Sequence, residues 1–323
     1  MGKDAMADSS HPLVTFAVIA YNQQATIAEA VESALTQDYP ALEILLSDDA
    51  STDGTFACIE ALAQAYRGSH ALRIHRNRHN LGLIAHVNQV FEMARGELIV
   101  IAAGDDVSLP RRTSELAARY FSREPRPGLL HSSAIRIDMR GRELGLWRPP
   151  RLGKPMDAAA LARCWVVYIG ATGAWNPQIY RRFGPMRAKA SYEDLVLGFR
   201  AALEGGIDCV DQALVRYRVD TGMTRHRRSG TLFGDFVRAE RRHVELCLAT
   251  LEQRLADLEH AQGVDACGLA AAMRDERDRQ LLRRCLLSSP WSAWRESTRF
   301  QRLRLVELVG HEIRQSLKFA FPR

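Results

Sequence analysis

The six cysteines of this 323-residue sequence (Cys58, Cys164, Cys209, Cys247, Cys267, Cys285) are scattered, and no Cys-x-x-Cys pair occurs. That spacing excludes a zinc ribbon and argues against a disulfide framework; a reducing cytoplasm suits it better. Long hydrophobic runs are also missing. The longest, Leu98–Ala103, is far short of the roughly 20 residues that a membrane-spanning helix needs. The polar stretch Met1–His11 has no apolar core, so no signal peptide is expected and residues 1–11 are expected to be disordered. No P-loop, Gly-x-Gly-x-x-Gly or Ser/His/Asp order is present. The histidines show no metal-ligand spacing: His75, His79 and His86 read as surface or satisfied residues, and His131, on an apolar strand, as a core residue.

What is present is a globular composition, 46% hydrophobic and 25% charged, on a chain long enough for a large core plus an appendage. The net charge is +6, and Arg274–Arg323 carries all of it, with 12 Lys/Arg against 6 Asp/Glu. The rest of the chain is balanced. This distribution argues against a nucleic-acid groove on the main domain and gives the tail an anionic partner of its own.

From Leu13 to about Phe121, short apolar runs alternate with helical periodicity. Strands are expected at Leu13–Ile19, Leu42–Ser47, Leu72–His75 and Glu97–Ala103. Helices are expected at Gln24–Leu35, from Asp53 to about Tyr66, at Leu83–Ala94, and from Pro110 to about Phe121. Such alternation implies an α/β fold with a mostly parallel sheet covered on both faces. Ligands of such sheets sit at the carboxyl ends of the strands, so the chemistry is expected just after Ile19, Ser47 and Ala103. Further on, Leu129–Asp138 and Glu143–Trp147 read as a hairpin, followed by a second α+β part to about Asp220. Helical patterns then cover Phe236–Glu259, Cys267–Leu287 and Phe300–Phe319.

The strand-end loops hold the candidate residues. Ala20-Tyr21-Asn22 offers an aromatic ring for stacking on a base. Ser47-Asp48-Asp49 sets two carboxylates at a buried strand end, which turn chemistry explains for Ser51 and Asp53 but poorly for this pair. In Gly104-Asp105-Asp106, the glycine leaves room for a ligand to approach, and the carboxylates can divide a ribose hydroxyl and a divalent cation between them. The alternative for this tripeptide is a helix cap ahead of Pro110. Tyr192-Glu193-Asp194 precedes an apolar helical run; acidic residues are ordinary there, and a general base is the functional alternative. The basic cluster Arg225, His226, Arg227 and Arg228 reads as a solvated loop or as a clamp over a diphosphate.

The runs VTFAVIAYNQQATIAEAVESALTQDYPALEILLSDDASTDGT, NLGLIAHVNQVFEMARGELIVIAAGDD and YEDLVLGFRAALEGG together resemble family 2 glycosyltransferases of the GT-A fold, in the right order over roughly residues 12–220. The resemblance implies a GT-A domain over 12–225 (a nucleotide-binding half, 12–122, and an acceptor half, 123–225) and a C-terminal helical extension over 226–323. It implies donor binding by Ala20, Tyr21, Asp48 and Asp105, a metal (Mg2+ or Mn2+) on Asp106, and Asp194 as catalytic base in an inverting transfer. The donor would be a UDP-, dTDP- or GDP-sugar and the acceptor a carbohydrate or a lipid-linked sugar, as in bacterial surface polysaccharide assembly. The sequence departs from the family pattern at Ala20, where proline is common, in its Gly-Asp-Asp metal motif, and at Asp220, where many members have histidine.

The basic stripe around Leu303, Val306, Ile313 and Leu317, with Trp291 and Trp294 before it, suits either peripheral contact with the inner face of an anionic membrane or packing on the domain or a second subunit. Two other function classes stay open. A sugar-phosphate nucleotidyltransferase would show a Gly-rich basic loop after the first strand, which Ala20–Ala25 lacks. A non-catalytic membrane- or partner-binding protein on the same fold would be expected to have lost the acidic residues.

Overall fold

A computed structural model describes residues 11–150, 156–163, 168–188, 190–219, 233–261 and 264–288. Residues 1–10 of the expected disordered N-terminus, the basic cluster at 225–228, Asp220 and the last amphipathic helix lie outside these residues.

The strands are β1 (Val14–Ala20), β2 (Leu42–Asp48), β3 (Ala71–Arg76), β4 (Leu98–Ala103), β5 (Val107–Ser108), β6 (Leu129–Ile137), β7 (Glu143–Trp147), β8 (Ala174–Trp175) and β9 (Ile207–Arg218). The helices are α1 (Ile27–Leu35), α2 (Thr55–Ala65), α3 (Leu83–Met93), α4 (Arg112–Phe121), α5 (Ala158–Arg163), α6 (Pro177–Phe183), α7 (Glu193–Glu204), α8 (Phe233–Asp257) and α9 (Ala266–Ser288). Among the described residues, none of these helices is long and apolar enough to cross a membrane.

The strands form one sheet in the order β3-β2-β1-β4-β8-β6-β9-β5, with β7 paired to β6. The first four are parallel, as the alternation predicts. Beyond β4 the sheet is mixed: β8 runs antiparallel to both β4 and β6, whereas β9 runs parallel to β6 and antiparallel to β5. The two-residue strands β5 and β8 are too short to leave a periodic signal.

Both faces are covered. On β1, Val14, Phe16 and Val18 enter one core with α1, α2 and α4, while Ala17 enters another with α3, α6 and α7. Leu98 and Val100 of β4 divide from Ile99 and Ile101 in the same way. Strands buried on both faces are apolar at nearly every position, which explains the continuous runs in the sequence.

The helical extension is part of this body. Arg200 of α7, fully buried, makes a bidentate pair with Asp257 of α8 at 2.8 and 2.9 Å and donates to the Gly184 carbonyl at 2.7 Å. Arg254 of α8, also fully buried, donates to the carbonyls of Leu195 and Leu161. A buried guanidinium needs such partners, because leaving its donors unmade costs far more than the bonds return in water.

Candidate active site

The parallel register brings the expected strand ends to one level. Ile19 is paired with Ser47 on one side and Ala103 on the other, and Ala20 faces Asp48. Asp49 N–H donates to the Ala20 carbonyl and Gly104 N–H to the Ile19 carbonyl, both at 2.9 Å, so the loops leave the sheet together. Above them is a cavity of about 830 Å3. Ala20, Tyr21, Asp105, Asp106 and Asp194 all line it, although the chain separates the first and last by more than half its length.

Asp48 does not line it. Its carboxylate is fully buried, accepts the Ser51 N–H at 2.9 Å and the Ser51 hydroxyl, and lies 3.4 Å from the Arg76 guanidinium. Asp49, at the cavity edge, is equally committed: it accepts from Asn77 Nδ2 and from the N–H groups of Leu81 and Gly82, at 2.8 to 2.9 Å. Hydrogen bonds to the two loops thus account for both aspartates, more completely than the sequence suggests. Next to them His86 is buried and shares a 2.7 Å hydrogen bond with the Ser47 hydroxyl; burial lowers its pKa. Of the two readings of this histidine, surface or satisfied, it is the second, and it lines the cavity. His131 is the core histidine expected, stacked on Tyr168.

Gly104 serves packing rather than ligand approach. A Cβ there would come within 2.5 Å of the Gln23 side chain, 3.0 Å of Ile27 Cδ1 and 3.2 Å of Ala20 Cβ, so β1, α1 and the loop between them already fill that space. The absent side chain lets the β4 turn close against them.

Asp106 is 3% exposed, and its Oδ1 accepts the Arg218 N–H at 2.7 Å. Burial raises its pKa well above the usual carboxylate range. The neighbouring charge of Asp105 pushes it further, while the Arg218 N–H and the buried Arg112 oppose the rise. The Arg218 guanidinium braces the same turn, donating to the carbonyls of Asp105 and Asp138 and to Glu29 Oε2, all at 2.9 to 3.0 Å. The sequence marks Arg218 only as the end of a strand; its role depends on β9 reaching back to β5.

Glu193 and Asp194 begin α7. Asp194 Oδ1 accepts the N–H of Leu195 at 2.8 Å, and the Tyr168 hydroxyl donates to the Asp194 carbonyl. Gly170 allows its turn to press against this residue: a Cβ there would lie 3.2 Å from Asp194 Cβ. Burial raises Asp194 to about 6, opposed by the Leu195 N–H and by Arg254. Burial and then the charge of Asp194 raise Glu193 to about 8. A carboxylate held near neutrality beside a cavity can take a proton from a substrate hydroxyl at physiological pH.

Sequence reasoning misses much of the rest of the cavity wall. Tyr168, Trp175 and Tyr192 line the cavity, and so do Ala239, Glu240, Arg242, His243 and Leu246 of α8. Their helical spacing is visible in the sequence; the element they face is not.

Among the described residues, no group of three or more His, Cys, Asp or Glu could by itself hold a metal ion. Asp105 and Asp106 nevertheless suit one. Among the described residues the Asp106 carboxylate accepts one hydrogen bond, at Oδ1, and a hard divalent cation would relieve two crowded carboxylates while taking its remaining ligands from phosphate and water.

The family model for glycosyl transferase family 2 matches residues 15–170. A putative glycosyltransferase of Bacillus subtilis, EpsE, is 38% identical over 110 residues, which is 34% of this chain and 39% of that protein. The chain therefore spans only about two fifths of that relative's length. Among solved structures, Staphylococcus aureus TarS 1-349 in complex with UDP-GlcNAc superposes with a TM-score of 0.57 at 18% identity, covering 94% of this chain and 81% of that one. The mannosyltransferase PcManGT of Pyrobaculum calidifontis, in complex with GDP-Man and Mn2+, gives 0.53 at 20% identity, covering 94% and 88%. At these identities the likeness to the solved structures is one of fold. With the family match over residues 15–170, the strand ends in register and the acidic pairs in one cavity, the chain carries a glycosyl transferase family 2 domain on a GT-A fold.

Proposed function

We propose that the protein transfers a sugar from a nucleotide-diphosphate donor to an acceptor hydroxyl with inversion at the anomeric carbon. The observation that carries this reading is the convergence of Asp194 and the Asp105-Asp106 pair on one cavity at the carboxyl ends of β1 and β4.

Tyr21, 45% exposed at the cavity mouth, offers its ring to the base, and the backbone around Ala20 lies beside it. Asp48 supports the base-binding loops from beneath through Ser51 and Arg76. Asp105 accepts a ribose hydroxyl. Asp106 would hold Mg2+ or Mn2+, which when bound supplies positive charge to the departing diphosphate. Asp194 takes the proton of the acceptor hydroxyl as the new bond to the anomeric carbon forms and the bond to the diphosphate oxygen breaks. Glu193, held neutral by burial, leaves Asp194 as the one charged carboxylate of its pair at neutral pH. The acceptor is a carbohydrate or a lipid-linked sugar. The basic charge of the 274–323 sequence supports a reaction in the cytoplasm at the inner face of an anionic membrane.

A thermal-shift screen of UDP, dTDP, GDP and their sugars, with and without Mn2+ or Mg2+, tests the reading. A ligand at about one hundred times its Kd adds about 2.7 kcal/mol, a rise of several degrees. At least one nucleotide should give that rise, and the metal should enlarge it. Silence across the panel would remove the donor site.

A further inference from the structure

The α8 wall of the cavity has a chemistry of its own. Arg242 and His243 each lie three or four residues from both Ala239 and Leu246, so the four share one face of the helix, and all four line the cavity. The face is fixed against the start of α7. The Tyr192 hydroxyl and His243 Nδ1 share a 2.6 Å hydrogen bond, and the Tyr192 N–H donates to Thr250 Oγ1 at 3.0 Å. On its other side the His243 ring lies 3.6 Å from Cys247 Sγ. Tyr192 immediately precedes Glu193 and Asp194, so this helix face borders the proton-accepting end of the cavity, with β4 and Asp105-Asp106 on the sheet side.

The titratable groups along this cavity are mostly acidic: Asp49, Asp105, Asp106, Asp194 and Glu240, with Glu193 held neutral beside them. Asp49 is bound to its loop, and Glu240 pairs with Arg283 at 2.5 Å. Among the described residues, Arg242 is the one lysine or arginine of the lining, and no hydrogen bond or ion pair engages it. It is exposed, so its side chain is free to turn towards a ligand. A guanidinium matches the planar or forked oxygens of a carboxylate or phosphate. In an in-line displacement the acceptor enters from the side opposite the diphosphate, which is the side of Asp194 and α8.

We propose that the Arg242–His243 face of α8 is an acceptor subsite that binds an anionic group, a phosphate or carboxylate carried by the acceptor next to the hydroxyl that reacts. This rests on the glycosyltransferase reading and adds the acceptor's charge to it. Arg242 pairs with the anionic oxygens, while His243, held by Tyr192 and Cys247, fixes the height at which the acceptor meets Asp194.

The test uses the full chain loaded with Mn2+ and the nucleoside diphosphate that stabilises it most. Glycerol 3-phosphate and glucuronate are titrated into it by calorimetry as phosphate and carboxylate probes. At least one should bind, and the stronger of the two names the group. Arg242→Ala should weaken that probe about tenfold or more and leave the nucleotide Kd within twofold, with the melting temperature unchanged. Arg242→Lys should restore part of the loss. Failure of both probes to bind, equal probe affinity in wild type and Arg242→Ala, or a parallel loss of nucleotide affinity would each overturn the subsite. In the first two cases intact nucleotide binding leaves the donor reading standing; a loaded state that cannot be formed with any nucleotide would fail the donor reading itself.

Discussion

Replacing Glu193 by glutamine should stabilise the protein at alkaline pH and not at acid pH. One Glu193 oxygen is buried without a partner, and burial together with the charge of Asp194 raises the pKa from 4.5 to about 8. The unfolded chain ionises this group near its ordinary value, whereas the folded protein holds it neutral until about pH 8. Between those limits unfolding releases a proton, so the wild type loses stability as pH rises and the glutamine variant does not. The interval corresponds to about 5 kcal/mol at most. The side chain is partly solvent-exposed, which reduces the expected effect to about 2 kcal/mol. Urea unfolding of both proteins at pH 4 and pH 9 measures it: the advantage of the variant should grow by that amount between the two conditions. Any fixed cost of placing an amide at this site cancels in the comparison. A difference that stayed flat with pH, or shrank, would refute the assignment of Glu193 as a carboxyl kept neutral by its surroundings.

Three further outcomes are expected. Asp194→Asn should lower transfer by about 10^2 to 10^4 with nucleotide affinity within twofold, and the wild-type rate should fall as pH drops through about 6, where Asp194 takes up its proton. Asp106→Ala should abolish the metal-dependent part of nucleotide stabilisation in the thermal-shift assay. Asp257→Ala should cost about 3–5 kcal/mol in denaturant unfolding, since it leaves the fully buried Arg200 guanidinium unpaired.

The half of the fold that holds β1 to β4 is legible in the sequence because its strands are buried on both faces and its helices are amphipathic. Position at the strand ends then singles out Tyr21, Asp105 and Asp106. The other half is not legible for a different reason: β5 and β8 are two residues long, and β9 takes its place through partners about 80 to 110 residues away. Arg218, Tyr168 and Trp175 are therefore placed by pairings that no local pattern announces. The Asp48-Asp49 dipeptide shows the opposite case. Its residue types point to a ligand, yet Ser51, Arg76, Asn77 and the Leu81–Gly82 backbone account for its oxygens. His86 reads as a surface or satisfied residue; the docking of α3 on β2 makes it the second, bonded to Ser47.

The buried Arg200–Asp257 pair has a consequence for how the chain can be recombined. Residues up to Val219 hold all nine described strands and both acidic pairs, and would look like a transferable catalytic unit. Cut or grafted at that point, the unit would keep Arg200 in its interior and lose the carboxylate that answers it, together with the donors that Arg254 sends to Leu195 and Leu161. Exchanging α8 between relatives to redirect acceptor choice would succeed only if positions 200, 254 and 257 travel together. The wall of the cavity and the anchor of the helix are inherited as one piece.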